Sequence, residues 1–240
     1  MLRRTHTCGE IRDTEVGKTV VTAAVAALAR DRGWRVAVVK PGQTGLRPGE
    51  PGDLAEVARL SGVRDGHELA RYPDPLSPQA AARVAGVAPP ELDEVARYVA
   101  GLADRDLVLV EGAGGLLVRF DDEGATLADV AWALNALVLI VAEAGLGTLN
   151  HTALTAEVLL KRGVECAGVV IGSWPSEPDL ASRCNLVDLP EAAGGPLLGA
   201  LPEGAGLLDP SDFLEVARAA MSPWLGGTFD PDVFAEQFTA

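Results

Sequence analysis

Runs of four to six aliphatic residues recur along the chain, each separated from the next by a segment with helical periodicity. An uninterrupted aliphatic run of that length is what a strand needs when both faces of its sheet are covered. Alternation with helices is the pattern of βα units feeding a parallel sheet. Residues 34–39, 106–110, 137–142, 166–171 and 197–201 are predicted as buried strands. Residues 18–32 are predicted as a helix stopped by Gly33, 126–135 as one capped by Thr126, and 148–162 as one capped by Thr148 and stopped by Gly163. Amphipathic helices are expected at 91–104 and 211–220. The predicted architecture is α/β: a single domain, mainly parallel sheet with helices on both faces, spanning residues 1–240. Residues 1–12 form an atypical N-terminus. The tail 221–240 is expected to dock Trp224, Phe229, Phe234 and Phe238 on the domain.

Composition narrows the function classes. With 48% hydrophobic residues the chain can bury a core, and a net charge of -14 repels phosphate backbones and anionic lipid, so no nucleic acid and no membrane partner is expected. Apolar runs such as 137–142 are far too short for a membrane helix, and residues 1–12 lack the apolar region of a leader, which points to a cytoplasmic protein. Three scattered cysteines indicate neither a disulfide framework nor a zinc site.

Chemistry is signalled first by Asp13-Thr14-Glu15-Val16-Gly17-Lys18-Thr19, which runs into an alanine- and valine-rich helix. This is the second half of a phosphate loop, so the α/β domain is expected to be P-loop NTPase-like. Gly17 lets amide N–H groups converge on phosphate, Lys18 supplies a cation, and the Thr19 hydroxyl suits Mg²⁺. The first half is absent: residues 1–12 hold no aliphatic run, and Ile11-Arg12 precede the loop where a glycine is needed. A polar segment in place of a central strand is expected to forgo burial of roughly 1.5–3 kcal/mol per side chain.

Further candidates follow the aliphatic runs, where ligands gather in an open parallel sheet. Lys40-Pro41-Gly42-Gln43-Thr44-Gly45 brings a second lysine and a hydroxyl. Asp53 opens the next helix and reads in isolation as its cap. Glu111-Gly112-Ala113-Gly114-Gly115 places a carboxylate at a strand end, suited to Mg²⁺ directly or through water. Gly145-Leu146-Gly147-Thr148-Leu149-Asn150-His151 leads into a helix and would suit a substrate carboxylate.

Together these motifs resemble the dethiobiotin synthetase family in order and spacing over residues 13–205. The resemblance implies a homodimeric enzyme that closes a ureido ring on 7,8-diaminononanoate with CO2, using ATP and Mg²⁺, in the penultimate step of biotin synthesis. It implies that Lys18, Lys40 and Thr44 act on the reacting groups, with Lys40 and Thr44 facing the carbamate and the γ-phosphate. Thr14, Glu15, Val16, Gly17, Lys18, Thr19, Glu111, Gly112, Gly114, Gly172 and Pro202 would contact the nucleotide. Thr19, Asp53 and Glu111 would surround the metal, and Gly147, Thr148, Leu149 and Asn150, with Thr44, would hold the substrate, the helix start being contributed across the dimer interface. Gly172 stands where many relatives carry an asparagine that reads the base, which leaves base preference open. Two alternatives remain at this level: an impaired relative that keeps the fold, obstructed by Ile11-Arg12, and a P-loop switch ATPase that binds a protein partner.

Overall fold

The computed structural model describes residues 4–10 and 16–238. Among the described residues, seven strands form one sheet: β1 (Arg4–Glu10), β2 (Val36–Lys40), β3 (Gly66–Glu68), β4 (Leu107–Glu111), β5 (Leu137–Ala142), β6 (Cys166–Trp174) and β7 (Leu197–Pro202). Their order is β3-β2-β4-β1-β5-β6-β7, and every ladder is parallel. All five predicted strands are present, shifted at their ends by no more than three residues.

Alternate strand residues point to opposite faces, and both faces are covered. Val36, Val38, Leu107, Leu109, Leu139 and Val141 face one core, closed by α1 (Lys18–Asp31) with α2 (Asp53–Ser61) and α8 (Pro210–Ala220) packed against it. Ala37, Val39, Val108, Val110, Val138 and Ile140 face the other. There α5 (Leu127–Ala133), α6 (Thr148–Lys161) and α7 (Leu180–Ala193) supply Ala128, Leu159, Leu186 and Leu189. Helices α3 (Pro78–Ala85) and α4 (Leu92–Gly101) complete the domain, and α9 (Pro231–Glu236) ends the described chain.

The predicted helix boundaries hold within three residues. Thr126 caps α5 in a reciprocal capping box with Asp129. Thr148 is not a cap. Gly147, left-handed at φ 92°, occupies that position, and Thr148 lies buried inside the first turn of α6.

One expectation is overturned. Residues 1–12 were predicted to lack the strand preceding the phosphate loop, yet the main chain of Arg4–Glu10 forms β1 in the interior of the sheet. It pairs with β4 from Arg4↔Leu107 to Cys8↔Glu111 and with β5 from His6↔Leu137 to Glu10↔Val141. Ladder hydrogen bonds belong to the backbone, and two flanking strands offer them on both sides whatever the side chains. An aliphatic run marks burial. It is not a condition of pairing.

Candidate functional site

The C-terminal ends of parallel strands converge on one edge of the sheet, and the predicted residues collect there. Strand β1 ends at Glu10 and α1 begins at Lys18, a strand and a helix in the order that flanks a phosphate loop. Thr14 and Glu15, with Ile11 and Arg12, lie outside the described residues. Val16 is buried, and Gly17 adopts φ 86°, which a side chain would strain, so that the chain turns into α1 at Lys18. Lys18 is largely buried in the first turn, where the helix dipole is positive.

Four predicted residues are joined directly. The Thr19 hydroxyl donates to Glu111 Oε1 at 2.9 Å. Lys40 Nζ donates to the same oxygen at 3.0 Å and to the Gly112 carbonyl at 2.9 Å, and lies 2.5 Å from Asp53 Oδ2. Lys40 is 2% exposed and Glu111 1%, whereas the Asp53 carboxylate is one third exposed. Burial alone would lower the Lys40 pKa, but the charges of Glu111 and Asp53 outweigh it and hold the ammonium above its ordinary range. Asp53 is therefore not the cap of α2. Gly52 takes that position, the Asp53 N–H donates to Gln43 Oε1 at 3.0 Å, and the Asp53 carboxylate turns to Lys40.

The donor set fits Mg²⁺. Glu111 Oε2 is buried and has no hydrogen-bond partner among the described residues, beside the Thr19 hydroxyl and within one lysine of Asp53. Mg²⁺ takes hard oxygen donors, one or two carboxylates and otherwise water and phosphate; Thr19, Asp53 and Glu111 offer such oxygens, with the Lys40 ammonium standing between the two carboxylates.

The glycines have separate reasons. A Cβ on Gly112 would meet Leu127 at 2.9 Å, and Gly114 turns at φ 79°. On Gly172 in β6 a Cβ would sit 1.9 Å from the Val16 carbonyl oxygen and 2.8 Å from Val141, while one on Gly17 would sit 2.6 Å from the Gly172 oxygen. The loop thus rests on bare main chain of β6, with no room there for an asparagine. Gly172→Ala is expected to lower stability by about 1–3 kcal/mol through forced backbone displacement, read as a lower midpoint in urea at unchanged slope.

Other predicted positions stand apart from this cluster. Thr44 is half-buried four residues beyond Lys40, its carbonyl accepting from Gln43 Nε2 at 3.3 Å. Pro202 ends β7, opposite Trp174 of β6. Gly147, Thr148, Leu149 and Asn150 open α6 beyond β5, with Thr148 inward and Asn150 exposed.

Two working residues were missed. Gln43 ties the segment after β2 to the start of α2, and Asn185 of α7 donates to the carbonyls of Ala144 (2.7 Å) and Gly145 (2.9 Å), fixing the turn before α6. Gln43 sits within the 40–45 motif but was given no role there, and Asn185 belongs to no motif and is some 40 residues from its partners.

Known proteins resemble this chain in sequence and in fold. A sequence family described as an AAA domain matches residues 12–211. An ATP-dependent dethiobiotin synthetase of Frankia casuarinae is 62% identical over 226 residues, covering 94% of this chain and 95% of that protein. One of Saccharopolyspora erythraea is 65% identical, covering 89% and 94%, and one of Mycobacterium leprae 53%, covering 87% and 91%. Among solved structures, the cell division ATPase MinD of Pyrococcus furiosus aligns with a TM-score of 0.55 at 19% identity, covering 90% of this chain and 97% of that one, a likeness of fold. With relatives this close over nearly the whole of both sequences, the chain belongs to the dethiobiotin synthetase family.

Proposed function

We propose that this chain catalyses the ATP- and Mg²⁺-dependent carboxylation and ring closure of 7,8-diaminononanoate with CO2, giving dethiobiotin, ADP and phosphate, as a cytoplasmic homodimer. The observation that carries the reading is the joined group of Thr19, Lys40, Asp53 and Glu111 beside the start of α1. A phosphate loop alone serves many ends, whereas a second buried lysine beside the metal donors suits transfer of a phosphoryl group to a bound acid.

In this reading one substrate amine takes up CO2 as a carbamate, losing a proton. A carbamate oxygen attacks the γ-phosphorus, ADP leaves, and a carbamic-phosphoric anhydride forms. The second amine then attacks the carbonyl carbon and expels phosphate, closing the ring. The transferred group calls for positioning and charge neutralisation rather than covalent catalysis. Lys18 and the amides of the α1 start hold the β- and γ-phosphates. Lys40, with Thr44 beyond it, faces the carbamate and the γ-phosphate. Thr19, Asp53 and Glu111 would hold Mg²⁺, which when bound neutralises phosphate charge. The α6 start, Gly147 to Asn150, holds the substrate carboxylate. In the proposed dimer that helix start serves the neighbouring subunit, and Leu146 (84% exposed) and Leu154 (53% exposed) stand out from this region as apolar contacts for a second copy. No helix among the described residues is long and apolar enough to cross a membrane, in keeping with a cytoplasmic location.

The test is direct. Purified protein supplied with the diamine, bicarbonate and Mg-ATP is expected to release one phosphate per dethiobiotin formed, and ATP without diamine is expected to stay intact. Tight Mg-ATP binding with no product would overturn the substrate assignment. Product absent and ATP unbound would mark an impaired relative.

A further inference from the structure

Away from the phosphate loop, three polar side chains are joined in series at the edge of the sheet. Asp65 directly precedes β3, His67 is the middle residue of that strand, and Tyr98 stands on α4. His67 Nε2 lies 2.9 Å from Asp65 Oδ1, and the Tyr98 hydroxyl lies 2.8 Å from His67 Nδ1. The hydrogen bond from Arg105 to the other Asp65 oxygen holds that carboxyl below the usual carboxylate range, so it is ionised at neutral pH.

These partners fix the protons. An ionised carboxylate only accepts, so the imidazole hydrogen sits on Nε2 and donates to Asp65. In the neutral ring Nδ1 then carries a lone pair, and the bond to Tyr98 runs from the phenol to the ring. The two rings meet edge on, with centroids 5.5 Å apart and planes at 64°. A hydroxyl within hydrogen-bond reach of a base, the base oriented in turn by a third group, is the arrangement that activates a nucleophile. A brace of β3 on α4 would be complete with the Tyr98–His67 bond alone; the carboxylate behind it adds orientation and a countercharge for an imidazolium. Access matches this role. Tyr98 is 41% exposed, whereas Tyr72, the other of the two tyrosines, is 1% exposed.

We propose that Tyr98 is a nucleophile, activated by His67 and Asp65, that accepts an acyl group from activated esters at a covalent site separate from the phosphate loop. The phenol oxygen attacks the ester carbonyl carbon while its proton passes to His67 Nδ1. The bond from that carbon to the leaving oxygen breaks, an O-acyl tyrosine remains, and the imidazolium returns the proton to the leaving group or to water. No step draws on ATP or the diamine, so the proposal stands or falls apart from the function proposed above. The probe is p-nitrophenyl acetate on the full chain, with p-nitrophenolate release followed in time and the acetyl group placed by peptide mass spectrometry. Acetylation of Tyr98 is expected at least about ten-fold faster than that of N-acetyltyrosinamide in the same buffer, and His67→Gln, which keeps a polar side chain but no base, is expected to slow it about 100-fold. Tyr98→Phe is expected to remove the tyrosine adduct. Should the glutamine variant melt below the parent chain, the comparison with the free tyrosine amide carries the test. Equal rates for Tyr98 and that amide overturn the proposal, as does an unchanged rate in a folded His67→Gln, and either result would leave the three residues as a brace. Acetyl groups found on amines alone overturn it as well.

Discussion

Lys18→Gln is expected to lower kcat/KM about 10³-fold. The side chain leaves the first turn of α1 directly after Gly17, where the left-handed turn and the helix start aim amide N–H groups and a positive dipole at one point. Its ammonium adds a unit charge to that field. Glutamine keeps the length and a donor but loses the charge. Because the charge on the transferring group is spread in the transition state, the loss falls on turnover as well as on binding. Removal of one preorganised donor costs on the order of 10²–10³ in rate, and loss of a full charge belongs at the upper end. Steady-state phosphate release at several ATP concentrations checks this. A change confined to KM, with kcat intact, would show that Lys18 only binds.

Lys40→Met is expected to abolish turnover and also to destabilise the fold. Lys40 is the cation for two carboxylates, and the Glu111 carboxylate is wholly enclosed. Removing one member of a buried pair leaves the other as an uncompensated charge, at about 3–5 kcal/mol. The Asp53 carboxylate is one third exposed and adds little, since water screens it. The pH dependence follows from the raised Lys40 pKa. Stability from the pairing is fully present below the unfolded value near 10.5 and is lost only as pH rises through the higher folded value, so the difference between parent and variant should be flat across neutral pH. Urea unfolding of the variant, set against Lys40→Met/Glu111→Gln, separates the causes. The double variant is expected to recover most of the lost stability and none of the activity. A single variant as stable as the parent chain would show that the Lys40–Glu111 pair does not hold the fold together.

The parts of the fold that could be read in advance are those that bury side chains on both faces of the sheet. Strands β2, β4, β5, β6 and β7 read as aliphatic runs for that reason. Strand β1 could not be read, because its position depends on main-chain pairing with Leu107–Glu111 and Leu137–Ala142, which leaves no trace in residue type. The edge strand β3 is three residues long, exposed or half-buried, and carries no pattern. Helix α7 hides behind Pro190, a residue that normally argues against a helix interior. The same division runs through the site. Lys18, Thr19, Lys40 and Glu111 were legible because charged or hydroxyl groups at strand and helix ends are chemically distinctive. Gln43 and Asn185 were not, because an amide that braces a turn looks like any other amide until the turn is seen.

The interior position of β1 also sets how the two halves of the site are spaced. Lys40, Asp53 and Glu111 come from the β2–β4 side, and the α6 turn and Gly172 from the β5–β6 side, with β1 bonded to both neighbours between them. A slip of one residue along those ladders would carry the beginning of the β1–α1 connection about 3.3 Å relative to metal donors and substrate turn together, and would exchange inward for outward side chains. Residues Arg4–Glu10 therefore work as a ruler: their hydrogen-bond alignment, more than their chemistry, sets where the chain enters between the two halves of the site.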